Sequence, residues 1–179
     1  MERLLGWLTS EDVRIFSFVN QQLQCRVLDM VLPKLTHLGG AAFILVSLLL
    51  LVFSLYGTPR IWAIEALFSL CASHLVVRVM KKRYLRPRPY ITLPNTRIFP
   101  NPLMDYSFPS GHTTASFSVA VAFSLHSILL TFLLMPLAII VGFSRVYLGL
   151  HYPTDCAIGA AVGCFSSLLV VYGSTFLLS

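Results

Sequence analysis

Residues 144–155 read SRVYLGLHYPTD and join two long apolar runs. Pro153 suits the first turn of a new helix, where its missing N–H is no loss. His151 and Asp155 stand four apart, so their side chains can meet on one face of that turn. A carboxylate bonded to one imidazole nitrogen fixes the tautomer and makes the other nitrogen a better nucleophile or base. Arg145 lies one or two turns earlier, among Gly142, Phe143, Val146, Tyr147, Leu148 and Leu150. A guanidinium in such company is costly unless it faces a partner or a wet cavity, and so it marks function.

The runs on either side of this stretch set the class of the molecule. Of 179 residues, 56% are hydrophobic and 11% charged, with a mean hydropathy of +0.79; soluble domains carry about 25% charged residues. A helix needs about 20 apolar residues to cross a hydrocarbon core about 30 Å thick. Segments near 36–56, 59–80, 110–130, 132–150 and 154–177 meet that need. The expected architecture is all-α, an integral membrane bundle of about five transmembrane helices over residues 35–179. The link between the third and fourth spans is placed near Thr131, just before Pro136.

Residues 1–34 differ in kind. Glu2, Arg3, Glu11, Asp12, Arg14, Arg26, Asp29 and Lys34 interrupt an apolar pattern of Leu4, Leu5, Trp7, Leu8, Val13, Ile15, Phe16 and Phe18. That spacing predicts an amphipathic helix pair lying in the membrane interface rather than a span. No basic segment followed by an uninterrupted apolar core and a small-residue cleavage site is seen, so no cleavable signal peptide is expected. Cys25, Cys71, Cys156 and Cys164 are scattered and read as small apolar core residues.

Two further polar islands share the boundary position of residues 144–155. The first is Lys81 to Pro89, Lys81-x6-Arg88-Pro89, which with Lys82, Arg83 and Arg86 concentrates much of the +6 net charge in one place. Alone it suits a juxtamembrane stop or a headgroup anchor, and so local an excess argues against nucleic acid. The second is Pro109-Ser110-Gly111-His112, which reads as a helix start. Ser110 can cap, Gly111 allows close backbone approach, and free N–H groups at the positive helix end form an anion site beside His112. Alone it equally suits a capped helix with an incidental histidine. An even number of crossings separates the islands, which puts all three on one face of the membrane. Cations, two histidines and a carboxylate there suit a phosphate group.

The islands resemble, in order and spacing, the signature of the type 2 phosphatidic acid phosphatase superfamily. The resemblance covers residues 81–155; the polar segment 11–33 departs from the six spans of many members. It implies that His151 attacks phosphorus and forms a phosphohistidine, that Asp155 orients it, and that His112 protonates the leaving oxygen and then activates water. Lys81, Arg88 and Arg145, with Ser110 and the Gly111 amide, would hold the phosphoryl oxygens. Phosphoryl transfer is mostly positioning and electrostatic stabilisation, which these groups can supply. No metal-ligand cluster is visible in the sequence, so metal-independent activity without a cofactor is expected.

The substrate expected from an interfacial site is a lipid phosphate whose chain stays in the bilayer. Undecaprenyl diphosphate is preferred, with phosphatidylglycerophosphate or phosphatidate next. A protein that binds or transports anionic lipid without turnover is the reading of another class; the oriented His151–Asp155 pair argues against it. Counting basic residues puts the site in the cytoplasm, whereas the resemblance implies the extracytoplasmic face of the cell membrane. The proline-rich loop Ile91 to Phe108, with Pro94, Pro100 and Pro102, is expected to cover the site, and Asp105 and Tyr106 read as ordinary loop residues ahead of the alternative that they contact a headgroup. His74 and Arg78 are placed along the wall of the site, Glu65 is a buried carboxyl of unassigned partner, and Gly159-x3-Gly163 reads as a helix contact.

Overall fold

A computed structural model describes residues 2–99 and 104–178, with side chains over 10–99 and 104–176. Pro100 and Pro102, and the apolar side chains of Leu4, Leu5, Trp7 and Leu8, lie outside what is described. The described residues form helices and no strands: α1 (Glu2–Ser17), α2 (Arg26–Leu35), α3 (Ala41–Ser54), α4 (Thr58–Tyr84), α5 (Pro89–Thr92), α6 (Gly111–Ser124), α7 (Ile128–Tyr147) and α8 (Pro153–Leu178). α4, α7 and α8 are each long and apolar enough to cross a membrane. The chain is a multi-pass helical membrane protein.

The expected first span is broken. A 3-10 turn, Thr36–Gly39, follows α2, and α3 begins only at Ala41. Gly40 is extended (φ −65°, ψ 129°), and the segments 26–39 and 41–54 meet at 57°. Taken together they are apolar enough for one crossing, so α2 continues toward α3 rather than ending the polar N-terminal region at residue 34. Gly39 packs where any side chain would strike Ser116 and Val141, which holds this bend against the bundle.

The segments expected as the third and fourth spans meet earlier than expected, and of the two only α7 is long and apolar enough to cross a membrane. α6 ends at Ser124, and Thr131 lies inside α7, where its N–H and hydroxyl both bond the Ser127 carbonyl. Ser127, extended at φ −150°, is the residue that starts α7. At 14 residues α6 is about 21 Å long. It is the core of the bundle, packed against α4, α7 and α8, and Thr113, Thr114, Ala115, Ser118, Ala120 and Ala122 on it are buried.

Small residues set how closely α6 meets α8. A Cβ on Gly159 would lie 2.8 Å from the Ser110 carbonyl oxygen, and one on Gly163 would lie 2.6 Å from that of Thr114. The glycine pair is a helix contact, as its spacing predicts. Ser167 seals the seam further along by donating to the Ser118 carbonyl at 2.5 Å. Of the cysteines, Cys156 is buried, but Cys25 and Cys71 are exposed, which corrects the expectation that all sit in the core.

Candidate active site

The three islands converge at one end of the bundle. Gly149, at φ +78°, turns the chain out of α7; its Cβ position is filled by the Arg97 carbonyl and Thr96, so only glycine fits. The N–H groups of Leu150 and His151 both return to the Arg145 carbonyl, which places His151 directly before α8. The Ser110 N–H donates to the Asp155 carbonyl at 3.0 Å, joining the start of α6 to the start of α8. Ser110 caps α6, its Oγ accepting from the Thr113 N–H at 3.4 Å.

His151 is buried between two groups of opposite charge. Its Nδ1 faces Asp155 Oδ2 at 3.5 Å, the outer limit of a hydrogen bond. Its Nε2 lies 3.1 Å from Arg88 Nη1, so with the proton on Nδ1 the Nε2 lone pair faces the cations. Burial, with Arg145 and Arg88 close by, outweighs Asp155 and pulls the imidazole pKa down to about 3. The ring is therefore neutral at physiological pH, the state a nucleophile needs.

Besides His151, three groups hold Asp155. Arg86 Nη1 donates to Oδ1 at 2.7 Å, and the Tyr152 N–H donates to Oδ2 at 2.9 Å. Ser107 also donates to Oδ2 and lies 3.5 Å from His151 Nδ1. Neither Ser107 nor the role of Arg86 was legible in the sequence. Arg86 sits inside the first island, but its charge looked like part of an undifferentiated basic cluster, and Ser107 merely precedes Phe108-Pro109.

The cations form the other wall. Arg88 is fully buried; its Nη1 donates to the Leu150 carbonyl at 2.7 Å and its Nη2 to Asp105 Oδ1 at 2.5 Å. Lys81 pairs with the other Asp105 oxygen and donates to the Tyr106 carbonyl. Burial would raise the Asp105 pKa, but Lys81 and Arg88 overcome it and hold the carboxyl at about 2. Asp105 is thus the internal counter-ion of two site cations, not an ordinary loop residue. Arg78, by contrast, is exposed on α4, and His74 is half-buried a turn or more below Lys81.

Arg145 differs from the other two cations. Its side chain is almost fully buried and its Nη1 donates to Thr36 Oγ at 2.9 Å, yet its Nε and Nη2 have no partner. Two orphaned guanidinium N–H groups on a buried cation are costly. They fit two oxygens of a phosphate, which planar guanidinium binds bidentately. Among the described residues no group of His, Cys, Asp and Glu is arranged to hold a metal ion.

Below the polar site lies a cavity of about 560 Å³, lined almost wholly by apolar side chains of α3, α4, α6 and α7. It begins at Leu38 and Ser116, one helical turn along α6 from His112, and reaches Leu55, Pro59 and Trp62 at the other end of α3. His112 Nε2 lies 3.9 Å from the Cβ position of Gly40, the residue before α3.

At the far end of the bundle a second acid and histidine pair joins a buried glutamate to a partly exposed histidine. Glu65 Oε2 bonds His126 Nε2 at 2.5 Å, Ser174 donates to its other oxygen, and Trp62 stacks on His126 with centroids 5.2 Å apart. Glu65 therefore has its partner on the link after α6, which helical spacing could not reveal.

Three cations around a buried histidine and carboxylate, at one end of an apolar helical bundle, place the chain among membrane proteins with a candidate anion site at the bundle's end. The PAP2 superfamily model matches residues 62–177, and the chain belongs to that superfamily. It is 30% identical over 163 residues to the "Bacitracin transport permease protein BcrC" of Bacillus licheniformis, covering 90% of this chain and 79% of that one. It is 34% identical over 131 residues to the "Putative undecaprenyl-diphosphatase YbjG" of Escherichia coli, covering 70% and 66%. The fold matches the crystal structure of Aquifex aeolicus LpxE with a TM-score of 0.79 at 24% identity, over 89% of this chain and 94% of that one. It also matches a PAP2-type phosphatidylglycerolphosphate phosphatase from Bacillus subtilis, with a TM-score of 0.78 at 24% identity, over 94% and 86%.

Proposed function

We propose that the chain is a membrane lipid phosphatase of the PAP2 type, and that it hydrolyses a phosphate or diphosphate end group through a phosphohistidine. The observation that carries this reading is Arg145, a buried cation with two free N–H groups beside a neutral, oriented imidazole. His151 Nε2 attacks phosphorus; the Nε2–P bond forms as the P–O bond to the lipid breaks, and protonated His112 gives that oxygen its proton. Water then attacks the phosphohistidine, His112 takes the water's proton, and the N–P bond breaks to release phosphate. Lys81, Arg88, Arg145, Ser110 and the Gly111 amide hold the phosphoryl oxygens, and Asp155 keeps the imidazole oriented. The reaction needs no metal in this reading.

The apolar cavity below His112 supports a lipid substrate, because a hydrocarbon chain can lie in it while the headgroup stays among the cations. Undecaprenyl diphosphate is the preferred substrate, supported by relatives that carry the name undecaprenyl-diphosphatase in Bacillus subtilis and Sulfolobus acidocaldarius. Phosphatidylglycerophosphate or phosphatidate is the second reading, supported by a relative named "Phosphatidylglycerophosphatase B". The site lies at the extracytoplasmic face of the cell membrane in this proposal.

The test is phosphate release by purified protein from these lipids with a chelator present, for the parent and for His151→Ala. Release by the parent alone, with an acid-labile labelled phosphoenzyme trapped from it, is the expected result. Equal release by the variant overturns the mechanism.

A further inference from the structure

The phosphate site is tied to a residue far outside the part of the chain that matches the superfamily model. Asp12, on α1, is almost wholly buried. Its Oδ2 accepts from Arg86 Nη2 at 2.6 Å and from Thr154 Oγ at 2.5 Å, and its Oδ1 accepts from the Thr154 N–H at 2.9 Å. The other nitrogen of the same guanidinium, Arg86 Nη1, donates to Asp155 Oδ1 at 2.7 Å and to Thr154 Oγ at 2.8 Å. The Arg86 plane is clamped further by the Tyr152 ring, 4.0 Å away. One cation therefore bridges two carboxylates, and only one of them touches the nucleophile.

We propose that Asp12 is a positioning residue for phosphoryl transfer, and that it neutralises Arg86 so that the charge of Asp155 remains available to His151. Without Asp12, Arg86 and Asp155 form a closed pair of zero net charge. With it, the trio carries one net negative charge, placed against the imidazole that becomes cationic when it binds phosphorus. Asp12 also fixes Thr154, the residue beside Asp155, by its backbone, so it sets the angle at which α8 presents the carboxylate. Charge at His151 comes from every neighbouring element: Arg88 from the first island, Arg145 from α7, His112 from α6 and Asp155 from α8. Asp12 is the contribution of α1, relayed through Arg86.

The inference rests on the proposed phosphatase reaction, and its test begins with a lipid phosphate that the parent hydrolyses; a parent inactive on every lipid refutes that reaction instead. Asp12→Asn keeps the shape and removes the charge. Its kcat is expected to fall about tenfold, a change of about 1.4 kcal/mol in the barrier, with KM within about twofold. The acid limb of its pH profile should move to lower pH, because a cationic His151 loses a favourable charge. Asp12→Glu, which retains the charge, should recover most of the kcat and the limb. In an Arg86→Gln background Asp12→Asn should cost nothing more, since the relay is already cut. An unchanged kcat, or the same tenfold loss in the Arg86→Gln background, overturns the proposal. Equal loss of kcat, limb and melting temperature in both Asp12 variants makes Asp12 a structural clamp and overturns it as well.

Discussion

Two acid and histidine pairs stand at opposite ends of the bundle, Asp155 with His151 and Glu65 with His126. The pairs share a chemistry and differ in their surroundings. His126 is stacked by Trp62, and Glu65 is completed by Ser174, so both oxygens of that carboxylate are satisfied within the protein. His151 is flanked by Arg88 and by Arg145, whose Nε and Nη2 are left without a partner. A satisfied pair fastens helices together. An unsatisfied one waits for a ligand. What separates a structural pair from a chemical one is thus the third group within reach, not the pair itself.

The comparison breaks most readily at His151. His151→Ala should lower phosphate release by about three orders of magnitude or more, whereas His126→Ala should leave turnover per folded molecule within about twofold. Equal losses would erase the distinction. Next in size is Arg145→Lys, which keeps the charge but removes the planar fork; kcat/KM should fall about 100-fold, measured against a Lys81→Arg control that retains charge and loses less.

Acid pH sharpens the same contrast with a smaller effect. The folded-state pKa of His151 lies below its ordinary value, near 3, so its stabilising contribution is present above about 6.5 and is lost as pH falls toward 3. Activity should therefore stay on its plateau through neutral pH, and the limb due to His151 should appear only below about pH 5, read from kcat/KM against pH. Asp105, held at about 2, keeps Lys81 and Arg88 paired throughout that range. The smallest expected effect is Glu65→Gln. It weakens a hydrogen bond to a buried carboxyl and should cost about 1–3 kcal/mol of stability, seen as a lower melting temperature in detergent with kcat unchanged.

Legibility in the sequence followed the range of the interaction. Helix starts at Ser110 and Pro153, the His151 and Asp155 spacing, and the close contact at Gly159 and Gly163 all depend on neighbours within a turn or two, and each appears in the structure. Partners from distant segments left no local trace: Asp12 and Thr154 are 142 residues apart, and Arg145 and Thr36 are 109 apart. The α6–α7 link was misplaced at Thr131 although Ser124, His126 and Ser127 mark the true one, because none of the three is a strong helix breaker like Pro136. The break at Gly40 was hidden for a related reason, since hydropathy is blind to a bend that costs no apolar residue. Asp105 looked generic because its meaning comes from Lys81 and Arg88, 24 and 17 positions earlier.

The cavity beneath His112 changes what concentration means for this protein. A lipid substrate of the proposed reaction, with its tail among Phe43, Leu48 and Leu134, would reach the site by lateral diffusion and never leave the two-dimensional phase. Saturation is then governed by its mole fraction among membrane lipids. Diluting proteoliposomes with buffer should leave turnover unaltered, and diluting them with inert lipid should slow it.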